Sequence, residues 1–147
     1  MMTTTQPPWD TLEESRYAGR GQERFERVAR ALLEWRLHEA AGVRVRPGPD
    51  GEAVLRFRLF PVPAPVRILE SVGLGASVAR LVYEALPGHP EEGRESFTVR
   101  LDEDGAVWFD IAARSRPARW YSRWGRPAAR AVQLLITRRY LRAATRV

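Results

Sequence analysis

Apolar residues recur every three or four positions over residues 22–41, and this spacing predicts an N-terminal helix. The apolar side of that helix holds Phe25, Val28, Ala29, Leu32 and Trp35. His38 falls on the opposite, charged stripe, so we expect it to be solvated or paired with Glu34. Gly42 follows as a typical helix end.

From Val43 onward the apolar period changes to two, which is typical of strands with one buried face. The alternation predicts about six strands, over residues 43–46, 55–59, 66–72, 76–85, 97–101 and 107–112. Pro61, Pro63 and Pro65 are expected to break the chain between the second and third of them. Because short turns join neighbouring strands, we expect antiparallel pairing.

The two ends of the chain differ from the middle. Residues 1–20 are polar and predict an irregular lead-in. Near the other end Ser115 can cap a helix with Pro117 in its first turn, and we expect that helix to reach about Ala144 with a kink near Gly125. The predicted fold class is α+β: an antiparallel sheet of about six strands with an N-terminal helix and a long C-terminal helix packed on one face, within a single domain over residues 21–147.

Composition narrows the class of protein. A chain of 147 residues with 44% apolar residues suits one domain with one core. It has no cysteine, which excludes disulfides, zinc–thiolate sites and thiol nucleophiles. The first eight residues do not resemble a signal peptide, and no apolar run approaches the ~18 residues of a membrane span. We therefore expect a cytoplasmic protein with no transmembrane segment.

The charge is distributed unevenly. All 24 basic residues are arginine, and residues 114–147 carry +10 with no acidic residue, whereas residues 1–113 carry −4. Arg119, Arg123, Arg126 and Arg130 follow helical spacing, and such a face could bind nucleic acid or an anionic membrane. Since no helix-turn-helix, zinc finger or RNA-binding sheet signature accompanies it, we favour a solvated basic face.

Three groups of motifs carry a resemblance to a known family. The first group is Gly21-x3-Phe25, Ala31-Leu32-Leu33-Glu34-Trp35, His38 and Ala41-Gly42-Val43. The second is Tyr83 with Leu86-Pro87-Gly88-His89-Pro90-Glu91-x-Gly93-x-Glu95-x-Phe97. The third is Ser115-Arg116-Pro117-Ala118 with Pro127, Gln133 and Tyr140-Leu141-Arg142. With these motifs over roughly residues 20–145, the chain resembles the family called domain of unknown function 1990.

The order of elements also resembles a helix-grip architecture, the arrangement of the START and Bet v 1-like superfamily. This resemblance implies a curved sheet that wraps a terminal helix, and it implies no established activity. Two positions depart from the family pattern that we expect. Glu84-Ala85 stands where Gly-Thr is expected, and Arg114 stands where an aromatic residue is expected and so adds a charge beside Arg116.

Two residues are weak candidates for catalysis. His89 lies in a stiff loop between Pro87 and Pro90, and it could act with Glu95 as an acid–base pair. The alternatives are that His89 contacts a ligand, or that it bonds the backbone of a structural loop. We also expect Glu95 to meet Arg116 as an ion pair that locks the loop to the last helix or clamps an anion.

No cofactor is predicted. The chain has only two histidines, so no metal site is expected. Gly-x-Gly-x-x-Gly, Walker and Gly-x-Ser-x-Gly motifs are absent from the sequence, which disfavours the commonest nucleotide and serine-hydrolase chemistries.

The aromatic residues support the leading functional hypothesis, because such rings suit flat apolar ligands as well as a core. The predicted ligand-binding residues are Trp35, Tyr83, His89, Phe97, Trp108, Arg116, Trp120, Trp124 and Gln133. We expect a soluble domain that binds a small hydrophobic or amphipathic ligand between the sheet and the C-terminal helix. The alternatives are binding of nucleic acid or an anionic membrane by the basic tail, and an enzyme that uses His89 and Glu95. We favour a binding protein over an enzyme.

Overall fold

The computed structural model of the chain describes residues 8–58, 60–73, 75–118 and 126–147. In chain order the elements are β1 (Asp10–Arg20), α1 (Gln22–Leu33), α2 (Arg36–Ala40), β2 (Val43–Pro47), β3 (Glu52–Phe57), β4 (Phe60–Gly73), β5 (Val78–Ala85), β6 (Glu91–Leu101), β7 (Ala106–Pro117) and α3 (Arg126–Arg146). The seven strands formed by these residues make one antiparallel sheet in the order β1-β7-β6-β5-β4-β3-β2. The predicted α+β class is confirmed, with one strand more than expected.

The additional strand is β1, so the prediction of an irregular lead-in is wrong for residues 10–20. It pairs with β7 from Asp10 opposite Ser115 to Arg20 opposite Ala106. Only Leu12 and Ala18 of this strand are buried. An edge strand with only two buried side chains shows almost no alternation of apolar and polar residues. This explains why the sequence pattern does not predict β1.

The prolines of β4 do not break the chain there. Pro63 and Pro65 pair with β3 opposite Arg56 and Val54. In an antiparallel sheet the N–H and C=O of one residue point to the same neighbouring strand, and the next residue points to the other. The carbonyl of Pro65 accepts a hydrogen bond from the Leu86 N–H, so the nitrogens of Pro65 and Pro63 point toward the β5 side of β4. Pairing with β5 begins only at Val66. The missing proline N–H groups therefore face a part of the edge that no partner strand occupies, where proline is tolerated.

The predicted start of the last helix is also wrong. Ser115 and Pro117 end strand β7, where Ser115 pairs with Asp10 on one side and Gly93 on the other. Both neighbours extend this far, so the strand continues where the sequence also offers a helix cap. Helix α3 begins at Arg126, and the expected kink near Gly125 lies outside the described residues.

The N-terminal helix is interrupted at Trp35. This residue has a left-handed backbone (φ 64°) and separates α1 from α2. The interruption rotates the second segment relative to the first, so a stripe counted through residues 22–41 no longer applies after residue 35. As a result His38 is fully buried (0% exposed), and the prediction that it is solvated or paired with Glu34 is wrong.

The two faces of the sheet have different roles. The inner face carries the helices and presents Phe97, Val99, Phe109 and Ile111, each at most 1% exposed. The second half of α3 completes this core with buried residues that include Tyr140 and Ala144. None of the helices in the described part of the chain is both long and apolar enough to cross a membrane.

Candidate functional site

A cavity of about 450 Å³ lies between the first half of α3 and the inner face of the sheet. The second half of α3 packs against the core on the inner face of the sheet. The cavity lies next to this core, under the first half of α3. Its walls are mainly apolar, and the apolar side chains that the strands and α3 contribute include Leu55, Phe57, Val66, Ala113, Val132 and Ile136.

A polar chain enters this cavity from the core. Glu95 of β6 lines the cavity, and its Oε2 accepts a hydrogen bond from the Tyr83 hydroxyl at 3.4 Å. The same Tyr83 oxygen lies 3.2 Å from His38 Nε2. When Glu95 is ionised, the single hydrogen of the phenol points to the carboxylate, and His38 then donates its Nε2–H to the Tyr83 oxygen. The three residues thus connect a buried imidazole to the cavity wall.

His38 is enclosed by aromatic rings. The ring centroids of Trp35, Phe97 and Tyr140 lie 4.8, 4.9 and 4.9 Å away, and that of Tyr83 lies 5.9 Å away. Within the described residues Nδ1 has no hydrogen-bond partner, so only its lone pair is left unpaired. Burial lowers the pKa of His38 to about 3, which keeps the ring neutral at physiological pH.

The carboxyl group of Glu95 has the opposite shift. Burial, and then the negative charge of Glu91, raise its pKa to about 7, and the Tyr83 hydrogen bond opposes part of that rise. Among the described residues no arginine forms an ion pair with Glu95. The cavity therefore holds a carboxyl group that takes or releases a proton near neutral pH.

A second polar group lies where α3 approaches the end of β7. Gln133 donates to Ser115 Oγ at 2.9 Å, and Arg130 donates to Gln133 Oε1 at 3.1 Å. Glu91 belongs to the same cluster, because burial raises its pKa while Ser115 and Arg130 oppose the rise. This cluster ties the first half of α3 to the sheet and gives the cavity polar atoms at a second position.

His89 lines the cavity from the loop between β5 and β6. The ring Nδ1 of His89 accepts a hydrogen bond from the backbone N–H of Glu91 at 2.9 Å, and the backbone N–H of His89 donates to the Leu86 carbonyl at 3.1 Å. Burial lowers the pKa of His89 to about 4. One ring nitrogen is thus committed to the loop backbone, as in the structural alternative stated for this residue.

Arg116 does not meet Glu95, so that expectation is wrong. The register pairs Glu95 with Ala113 and Arg116 with Glu92, and the two side chains leave opposite faces of the sheet. Arg116 instead forms an ion pair with Glu92 at 2.8 Å and lies 4.2 Å from the ring centroid of Trp9. Both contacts are on the outer face, away from the cavity.

The other predicted ligand-binding residues divide into four groups. Tyr83, His89 and Gln133 line the cavity. Trp35 and Phe97 pack around His38 in the core, and Trp108 lies on the outer face between Tyr17 and Arg100. Trp120 and Trp124, together with Arg119 and Arg123 of the basic tail, lie outside the described residues.

Sequence reasoning missed the part of His38 and Tyr140 in this network. Tyr140 is 1% exposed, and its hydroxyl shares a hydrogen bond with Tyr83. The signal available in the sequence was that both residues belong to the motifs of the family resemblance, although neither lines the cavity itself.

The described residues also bear on the predictions for metal binding and for the basic C-terminal helix. They contain no group of three or more histidine, aspartate or glutamate side chains that could hold a metal ion. Along α3 the side chains of Arg138, Arg139, Arg142 and Arg146 are exposed. Binding of nucleic acid or an anionic membrane by this helix, and catalysis by His89 and Glu95, stay predictions.

Comparison with known sequences identifies relatives. The family model described as Domain of unknown function (DUF1990) matches residues 2–143. A UPF0548 protein of Deinococcus radiodurans is 42% identical over 64 residues, which are 44% of this chain and 32% of that protein. A UPF0548 protein of Arabidopsis thaliana is 30% identical over 120 residues, which are 74% of this chain and 58% of that protein. The chain thus spans less than two thirds of the length of either relative.

Solved structures share the fold at low sequence identity. ZhuI aromatase/cyclase from Streptomyces sp. R1128 has a TM-score of 0.65 at 12% identity, over 94% of this chain and 92% of that one. Norcoclaurine synthase from Thalictrum flavum has a TM-score of 0.58 at 8% identity, over 95% and 96% of the two chains. These similarities concern the fold alone, which is the helix-grip arrangement that the resemblance implied.

Proposed function

We propose that this chain, which belongs to the DUF1990 family, binds a small apolar or amphipathic molecule in the cavity between α3 and the sheet. The observation that carries the proposal is the cavity itself: about 450 Å³, with mainly apolar walls and a few convergent polar groups. This combination is typical of small-molecule sites. Proteins of the same fold that are named for reactions, an aromatase/cyclase and a synthase, add support.

The walls supply the affinity. Each ~100 Å² of apolar ligand surface removed from water contributes about 2.5 kcal/mol before the cost of immobilising the ligand. The polar groups supply the orientation, since Glu95 at the core end and Gln133 near β7 offer hydrogen bonds to a polar end of the ligand. Because Arg116 lies on the outer face, it is left out of this assignment.

The test uses two variants of neighbouring positions on one strand. Ala113 lines the cavity, whereas Ala112 is exposed on the outer face. The substitution Ala113→Phe places a ring inside the cavity, and Ala112→Phe adds the same atoms outside it. Binding of the neutral fluorescent probe N-phenyl-1-naphthylamine is followed by the rise in its emission as it leaves water.

We expect saturable binding to the unmodified chain, at least tenfold weaker binding to Ala113→Phe, and a change below about twofold for Ala112→Phe. In addition, Glu95→Met should weaken binding of 1-naphthalenemethanol by roughly tenfold through the lost hydrogen bond, while changing the binding of N-phenyl-1-naphthylamine less. Equal binding by the two phenylalanine variants would refute the cavity as the site. Failure of the unmodified chain to bind either compound would refute the proposal for ligands of this size.

A further inference from the structure

A second concave site lies at the far edge of the sheet, away from the cavity beneath α3. It is a groove of about 440 Å³ formed by β2, β3 and the end of α2. Four arginines line it: Arg44, Arg46, Arg56 and Arg58. We define these four residues as the arginine groove.

The pairing of β2 with β3 places like charges next to each other. Arg44 lies directly opposite Arg56 in the antiparallel register. Directly opposed side chains have Cβ atoms about 5 Å apart, where like charges destabilise the sheet. Arg46 follows Arg44 by two residues on the same face, about 7 Å along the strand. The backbone of Arg58 is fixed near this pair, because the backbone N–H of Arg58 donates to the Gly42 carbonyl at 3.1 Å.

Most arginines on the other strands of the sheet have a carboxylate partner. Five of these eight arginines have one within 4 Å, namely Arg67, Arg80, Arg94, Arg100 and Arg116, whereas Arg16, Arg20 and Arg114 have none among the described residues. Among the residues that the structure describes, no such partner pairs with any arginine of the groove. The groove therefore concentrates, on two neighbouring strands and the residue that follows β3, four positive charges that have no ion-pair partner in the described part of the chain.

Two further charges border the groove. Glu39 lines it and opposes the binding of an anion. On the other side, Arg139 of α3 approaches Gly42, since a Cβ built on that glycine would lie 3.3 Å from Arg139 Nη1. Even with Glu39 included, the groove and its border have a net positive charge.

We propose that the arginine groove binds a small anion with several phosphate groups, such as a polyphosphate or the polyphosphate part of a nucleotide. Guanidinium groups bind phosphate oxygens through paired N–H donors. One opposed arginine pair with Cβ atoms about 5 Å apart, and a third arginine about 7 Å further along β2, match an anion that carries two or three linked phosphates. The concave shape favours a small anion over the extended backbone of a nucleic acid, which a flat or ridged surface would accommodate.

The proposal is independent of ligand binding beneath α3, because the groove and the cavity share no lining residue. An anion in the groove would offset the repulsion between Arg44 and Arg56, so it should stabilise the fold. It follows that removing these two charges should stabilise the anion-free protein and abolish the effect of the anion.

The test measures binding of inorganic tripolyphosphate by isothermal titration calorimetry, together with thermal unfolding, at constant ionic strength. The test variant is Arg44→Gln with Arg56→Gln. The control variant is Arg67→Gln with Arg80→Gln, which removes the same charge from arginines that have carboxylate partners. We expect at least tenfold weaker binding by the test variant, and less than about twofold change for the control. The melting temperature of the test variant should exceed that of the unmodified protein when no anion is present.

Three results would overturn the proposal. Equal loss of binding in both variants would show attraction to net charge alone. No preference for tripolyphosphate over sulfate at equal ionic strength would show general screening. Binding of a single-stranded oligonucleotide at concentrations where tripolyphosphate does not bind would assign the groove to nucleic acid instead.

Discussion

The carboxyl group of Glu95 makes the stability of the fold depend on pH in a defined direction. Its pKa rises from 4.5 to about 7 on folding, so the folded state holds the proton more tightly than the unfolded chain. The stabilisation is therefore complete below pH 4.5 and is lost as the pH rises through about 7. The difference between the two pKa values corresponds to about 3 kcal/mol.

Replacing Glu95 with glutamine removes this dependence. We expect the stability of Glu95→Gln relative to the unmodified protein to be about 3 kcal/mol more favourable at pH 8.5 than at pH 4. Urea unfolding followed by circular dichroism at the two pH values measures it. His38 titrates in both proteins, so its contribution cancels in the comparison.

Glu92→Gln is the matched control, because Glu92 is on the same strand but is half-exposed on the outer face beside Arg116. Its removal should change stability by less than about 1 kcal/mol at both pH values. If Glu95→Gln differs from the unmodified protein by the same amount at pH 4 and pH 8.5, the carboxyl group is not desolvated as described, and the reasoning fails.

Three further predictions test separate parts of the fold. His38→Phe should remove an acid-sensitive contribution: the pKa of His38 falls to about 3 on folding, so the unmodified protein should lose about 2 kcal/mol relative to the variant between pH 7 and pH 5, as urea unfolding would show. An equal slope for both would contradict this. Gly93→Ala should cost at least about 2 kcal/mol, because the new Cβ would clash with the Arg114 carbonyl oxygen at a backbone φ of +135°. Gly73→Ala, where a Cβ meets nothing within 4 Å, should be nearly neutral, and similar losses for both would refute the steric argument. Arg24→Met should raise hydrogen exchange in the last turns of α3, because Arg24 donates to the carbonyls of Ala144 and Val147, and unchanged protection would count against that anchoring role.

The strands could be predicted where one face is buried and the other is not. In β6 and β7 the apolar residues Phe97, Val99, Phe109 and Ile111 recur at every second position, and the structure confirms those strands. Strand β1 lies at the edge of the sheet and buries only two side chains, so the alternation of apolar and polar residues is absent there.

The candidate site was harder to predict for two physical reasons. A single left-handed residue, Trp35, changes which side of the helix faces the core, and a pattern of residue types does not reveal it. Strand parity, by contrast, was available: Glu95 shares the parity of buried Phe97, whereas Arg116 is out of phase with buried Ile111. The alternation of side chains along each strand therefore predicts that Glu95 and Arg116 lie on opposite faces of the sheet. Aromatic residues of the core and of a cavity wall look alike in sequence, because both are apolar and large.

Ligand binding beneath α3 is tested most directly by nuclear magnetic resonance on protein with labelled isoleucine, leucine and valine methyl groups. Intermolecular Overhauser effects from bound N-phenyl-1-naphthylamine are predicted at the methyl groups of Val66, Val132 and Ile136, which line the cavity. Effects confined to exposed Leu69 or Leu135, with none at the cavity methyl groups, would contradict the assignment.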